Sequence, residues 1–224
     1  MKFFYNIHSH SYGLGENKRT LRSLMPEELN ILDNPGEIPP GNLFSVGIHP
    51  NFLGKLEELP EKFALIENVS GSRLVAAIGE CGLDRLSETD LDIQKDVFVK
   101  QAKMAEKIGK PLMIHCVRAY PELIAVKNLL APKQKWIVHG FRGSEEMAKQ
   151  LVRHRFMLSF GPALRNSQKL AGIFREMSLE SVFLETDDSE EKIEDLYQYA
   201  SEIRKNTVAC TSEKIAKNAE SFWF

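Results

Sequence analysis

The sequence predicts an α/β chain built as a parallel TIM-type (β/α)8 barrel, trimmed and lacking the helix after its first strand. Short apolar runs bounded by glycine, proline or polar residues recur along the chain. Amphipathic stretches separate the later runs, and strand followed repeatedly by helix means a parallel sheet. The length of 224 residues falls a little short of the ~250 usual for such a barrel, hence the trimming.

Seven runs read as buried strands, at 3–7, 43–48, 74–78, 111–114, 136–138, 156–160 and 182–184. An eighth, weaker one lies at 20–24, where Leu21 and Leu24 supply the pattern, and eight would close a barrel. Helices are expected at 92–108, with Phe98, Ala102 and Ala105 on one face, and at 120–130, 145–154 and 168–177. Two more, at 193–205 and 212–221, end the chain. The stretch 11–41 holds Gly13, Gly15, Pro26, Pro35, Pro39 and Pro40 and offers a helix only at 27–32, so the first crossover should be non-helical. No linker or internal repeat interrupts the chain, and a single domain over 1–224 is the simplest division.

A hydrophobic share of 43% with 27% charged residues suits a folded globular protein and excludes a disordered one. Twenty-nine basic against 31 acidic residues give a formal charge of −2, so no global field gathers polyanions, and any such contact must be local or metal-assisted. Cys81, Cys116 and Cys210 form no C-x-x-C pair, which argues for reduced thiols and a cytoplasmic setting. No apolar run approaches the ~20 residues of a membrane span, and the start is too short for an export signal.

His8 and His10 stand two apart at the end of the first strand, and the two-residue period of a strand points both side chains the same way. Such a pair can share one borderline-soft cation. Glu80, His115, His139 and Asp187 each follow an apolar strand run, and the carboxyl ends of barrel strands form a shared mouth. Six residues of this kind converging there match a catalytic divalent site, although His115 or His139 singly could be a hydrogen-bonded core histidine. His49, before Pro50, also ends a strand; it either faces the site or substrate, or belongs to a proline-stiffened turn. Arg118 could set its guanidinium fork on a phosphate, with Arg142 a weaker candidate. Cys81 and Cys116 adjoin these positions but point to the opposite strand face, into the core. His154, between two arginines, reads as part of a solvated helix face.

Six stretches occur in one order along nearly the whole chain: N-I-H-S-H at 6–10, S-V-G-I-H-P at 45–50, A-I-G-E-C-G-L-D at 77–84, I-H-C-V-R-A at 114–119, V-H-G-F-R-G-S at 138–144 and L-E-T-D at 184–187. Together they resemble the TatD family of metal-dependent deoxyribonucleases, among the amidohydrolase-like barrels. H-x-H is shared by many hydrolases, whereas G-E-x-G-L-D and E-T-D are specific. The resemblance implies one or two divalent ions (Mg, Mn or Zn): one held by His8, His10 and Asp187, the other by His115 and His139, with Glu80 near or between both. Glu80 stands where some related hydrolases carry a carboxylated lysine. Asp187 would orient or deprotonate the attacking water. Asn6 replaces the family's usual aspartate, Asp188 and Ser189 replace its usual Ser-Pro or Ala-Pro, and a proline-containing loop before the last helices is absent. These differences bear on substrate choice more than on catalysis.

The expected function is therefore metal-dependent ester hydrolysis, with DNA or an oligonucleotide as substrate, Asp187 and Glu80 as catalytic groups and Arg118 and His49 on the substrate side, in a monomer. A small phosphoester, lactone or amide is the first alternative, favoured by the balanced charge and short rim. A catalytically silent binding protein is the second.

Overall fold

The computed structural model describes residues 3–223, with side chains described up to residue 220. Eight parallel strands hydrogen-bond in an order that is also their chain order: β1 (Phe4–Ser9), β2 (Lys18–Leu24), β3 (Asn42–Val46), β4 (Val75–Asp84), β5 (Leu112–Val117), β6 (Trp136–Val138), β7 (Phe156–Phe160) and β8 (Val182–Leu184). That is the topology of a TIM-type barrel. By contact the chain divides into two compact units, one of 1–22, 39–42 and 139–224, the other of 23–38 and 43–138.

In the first unit β1 runs parallel to β2 with Tyr5 opposite Arg19, and β7 pairs with β8 with Ser159 opposite Phe183. Past β8 the chain returns to β1, where Asp187 bridges Ser9 and exchanges backbone hydrogen bonds with His8 and His10. Ile7, Leu158, Phe183 and Leu184 are fully buried here. Around them lie α4 (Glu145–Arg153), α5 (Ala163–Asn166), α6 (Gln168–Glu176), α7 (Ile193–Ile203) and α8 (Val208–Trp223). Ser144 and Ser167 cap α4 and α6 by accepting from Met147 N and Leu170 N. Tyr197 of α7 ties the helix to β1, its hydroxyl donating to Tyr5 O at 3.1 Å and accepting from Tyr5 N at 3.3 Å.

In the second unit β3 to β6 pair in succession. All ten residues of β4 are buried, as expected of a parallel strand covered on both faces. The crossovers are α1 (Leu59–Ser70), α2 (Leu91–Ile108) and α3 (Tyr120–Leu130). Asp90 caps α2 by accepting from Asp92 N and Ile93 N, and Gly109 ends it with φ 73°, the left-handed turn glycine tolerates. Phe98 and Trp136 meet edge to face at 5.3 Å in the core.

The expected missing helix is borne out, since only turns join β1 to β2, and β2 to β3 has only 3-10 turns at Pro26–Asp33 and Pro35–Glu37. The weak eighth strand is β2, with Thr20, Leu21, Ser23 and Leu24 buried. Four details differ from expectation, the first being that β5 runs to Val117, so His115 lies inside its strand. The segment foreseen as a helix at 27–32 is 3-10, α1 went unforeseen, and β4 runs to Asp84, so Glu80 lies inside its strand and not beyond its end. Among the described residues no helix is long and apolar enough to cross a membrane.

Candidate metal centre

Backbone pairing sets the first group of ligands. Because Asp187 N donates to His8 O at 3.1 Å and His10 N to Asp187 O at 3.3 Å, three side chains meet at one strand end. Asp187 Oδ1 lies 3.5 Å from His8 Nε2 and 3.6 Å from His10 Nε2. Two ligands ~2.1 Å from one tetrahedral ion stand roughly 3.4 Å apart, so this donor set fits a divalent ion. Asp187 has φ 53°, a left-handed conformation that aspartate tolerates better than most residues. Behind it Asn6 grips Thr186, donating from Nδ2 to Thr186 Oγ1 at 2.8 Å and accepting Thr186 N at 2.9 Å. The asparagine at this position thus uses both ends of its amide.

His139 and Glu185 belong to the same unit. The His139 ring stacks at 4.1 Å on that of His8, and its Nδ1 lies 3.6 Å from Glu185 Oε1. Glu185 is fully buried and also accepts Gly140 N at 2.7 Å.

In the second unit Glu80 is the pivot. Its Oε1 lies 3.1 Å from His49 Nε2 and 3.0 Å from His115 Nδ1, while Asp84 Oδ2 takes the other His115 nitrogen, Nε2, at 3.2 Å. His49 Nδ1 accepts the Asn51 backbone N–H at 3.1 Å, which leaves the proton of the neutral ring on Nε2, turned to Glu80. His49 is thereby built to donate to Glu80 and not to ligate through Nε2. Burial would raise the Asp84 pKa, but hydrogen bonds from Leu86 N, His115 and Asn51 outweigh it and hold the carboxyl below its ordinary value. A carboxylate behind a ligating imidazole is the usual device for fixing that ring.

Glycines allow the backbones to close around Glu80. A Cβ on Gly82 would sit 1.8 Å from His115 O, one on Gly79 2.2 Å from Met113 O, and one on Gly47 2.6 Å from Gly79 Cα. The G-E-C-G spacing is thus the steric condition for strands approaching on both sides. From α2, the buried Gln94 accepts Asp84 N at 2.7 Å and donates to Asp84 O at 3.0 Å. Gln101 does the same for Ile48, accepting its N at 2.8 Å and donating to its O at 3.0 Å, which fixes the chain just before His49.

Each unit therefore assembles a share of the six foreseen residues. His8, His10, Asp187 and His139 gather in one; Glu80, His115 and the flanking His49 gather in the other. Arg118 and Arg142 are exposed, and His154 is half-buried at the end of α4. Cys81 and Cys116 are buried as expected, while Cys210 is half-exposed and all three thiols are free. Sequence reasoning gave no role to Asp84, Glu185, Gln94 or Gln101. The first two lie inside the quoted motifs, a signal that could have found them.

The family model described as TatD related DNase matches residues 27–223. The chain belongs to the TatD family. It is 32% identical over 147 residues to an uncharacterized metal-dependent hydrolase of Bacillus subtilis, covering 64% of this chain and 57% of that protein. It is 31% identical over 156 residues to a protein named Deoxyribonuclease Tat-D from Schizosaccharomyces pombe, covering 64% and 50%. The chain thus spans about half the length of the curated TatD relatives it matches. Among solved structures, the TatD homologue YJJV of Escherichia coli superposes with a TM-score of 0.81 at 19% identity, over 91% of this chain and 85% of that one. The likeness supports a TIM-type TatD barrel as the fold. The TatD family match begins at residue 27, so His8 and His10 lie before it and rest on the geometry above.

Proposed function

We propose that this TatD chain is a metal-dependent hydrolase of phosphodiesters, with DNA or an oligonucleotide as its substrate. The observation that carries the reading is the cluster of His8, His10 and Asp187, whose ligand atoms lie within 4.8 Å of one another at the end of parallel strands. These residues would hold one divalent ion, of Mg, Mn or Zn. Glu80 and His115 would hold a second, in the other unit. Such ions, when bound, supply Lewis acidity, a bound water of lowered pKa and stabilisation of the leaving oxygen.

The chain's own groups do the rest. Asp187, with its side chain 38% exposed, orients the attacking water and takes its proton. His49 donates to Glu80 and keeps that carboxylate aimed, so its role is positioning. Asp84 does the same for His115. Arg118 and Arg142 are free to meet backbone phosphates. The three free thiols support a reducing, cytoplasmic setting.

A labelled single-stranded DNA, a duplex and an RNA of the same sequence, each with and without Mg or Mn, test the reading beside Asp187→Asn. Asparagine tolerates the left-handed backbone at this position, so the variant should fold. Metal-dependent cleavage that falls at least about a hundredfold in the variant is expected. Intact nucleic acid at full metal occupancy would instead favour a small phosphoester, lactone or amide, the alternative that the formal charge of −2 supports.

A further inference from the structure

Close to Glu80 stands an exposed aromatic ring with no part in the metal centre. Phe52 ends the 3-10 turn Pro50–Phe52 that follows β3, and it is 58% exposed. Its ring centroid lies 5.2 Å from that of His49, at an interplanar angle of 40°, and His49 Nε2 lies 3.1 Å from Glu80 Oε1. One imidazole therefore separates the ring from the carboxylate. The turn is held from several sides: Phe52 N donates to His49 O at 3.0 Å, Lys62 Nζ to Phe52 O at 3.4 Å, and Asn51 Nδ2 to Asp84 Oδ2 at 3.2 Å. Ser87 Oγ donates to Pro50 O at 3.4 Å, so the turn after β4 adjoins it, and Leu86 in that turn is 63% exposed. A single apolar side chain at the surface is ordinary. Here two of them occupy adjoining turns at the carboxyl ends of β3 and β4, beside Glu80 and His115, on backbone that is already fixed.

We propose that Phe52 is a stacking platform for one nucleobase of the substrate. The inference rests on the nuclease reading. A phosphodiester engaged at the cluster of Glu80 and His115 carries its bases within reach of a ring that touches His49. Every base has a π-face, and stacking on an aromatic side chain uses no hydrogen bond, so the contact holds a base without reading its identity. Because hydrogen bonds already fix the turn, little ordering is left to oppose the contact. An aliphatic phosphoester or lactone offers no such face, so the residue also separates the two substrate readings.

Fluorescence anisotropy of a short phosphorothioate-linked single-stranded DNA, titrated with the Mn-loaded protein, measures the contact with hydrolysis slowed. Phe52→Ala should weaken affinity about tenfold, and Phe52→Trp should match or exceed the wild type. Phe52→Leu, apolar but without a π-face, should resemble Phe52→Ala. A single abasic site moved along the strand should reveal one position where the missing base costs the wild type about tenfold and costs Phe52→Ala nothing more. Phe52→Leu at wild-type affinity overturns the platform. So does an abasic loss that adds in full to that of Phe52→Ala at every position. Mn lost from Phe52→Ala, by elemental analysis, would make the ring a support for His49 and overturn it too. A wild type that neither binds nor cleaves any nucleic acid removes the nuclease reading and the platform together. Binding and cleavage unaltered in all three variants removes the platform alone.

Discussion

Single atoms decide how tightly Glu80 can be enclosed. Gly82 has φ 155° and its missing Cβ would fall 1.8 Å from His115 O, a backbone atom that cannot yield. Gly82→Ala should therefore cost roughly 3 kcal/mol or more of stability, read by denaturant unfolding, and an unchanged midpoint would sink the close-approach account. At this scale much was legible. Five of the six histidines, all but His154, end in the two clusters, and alternation put His8 and His10 on one side as required. Glu185 stayed hidden because its partners, Gly140 N and His139 Nδ1, come from a different stretch of chain, and spacing along one strand carries no trace of that. Asp84 stayed hidden because its acidic neighbour Glu80 already accounted for the motif.

Among the elements, α2 acts as a splint for the second unit's own cluster. Its glutamines, Gln94 and Gln101, take both backbone groups of Asp84 and of Ile48. Gln101→Leu would orphan the Ile48 N–H and carbonyl together. The expected cost is roughly 2–4 kcal/mol, with metal affinity lowered about tenfold as His49 loosens its hold on Glu80. Metal titration of the folded variant separates the two effects, and unchanged affinity would remove His49 from the positioning role. Glutamines in an amphipathic helix read as solvent-facing, which is why the pattern foresaw the Phe98, Ala102 and Ala105 face without them. The unforeseen α1 has a similar cause: Leu65 is 40% exposed and glutamates interrupt the stripe of Leu59 and Ile66, so the apolar period is broken. β2 was faint because Lys18, Arg19 and Arg22 take up three of its seven positions, whereas the apolar stretches at 74–78, 111–114, 136–138 and 182–184 were plain.

For the whole molecule, folding and metal binding are linked. The ligands are brought together only by the fold, so ions that bind the folded chain stabilise it by mass action. Chelated protein resupplied with Mn at a hundredfold its dissociation constant should gain about 2.7 kcal/mol for one site. A melting temperature indifferent to Mn would contradict both clusters as ligand sets. The charge of −2 predicts a shallow salt response as well. If Arg118 and Arg142 are the phosphate contacts, the logarithmic slope of single-strand affinity against salt should be about −1.4. A slope steeper than about −4 would demand a basic track that these two arginines do not make.

The thiols carry a practical consequence. Cys81 and Cys116 are buried, and Cys210, on α8, is the most exposed of the three. A maleimide dye would thus attach at one defined place without mutagenesis, giving a fluorescence reporter on a helix that contributes no ligand. Signals from that dye would follow unfolding and substrate encounter while leaving every residue of the metal clusters unlabelled.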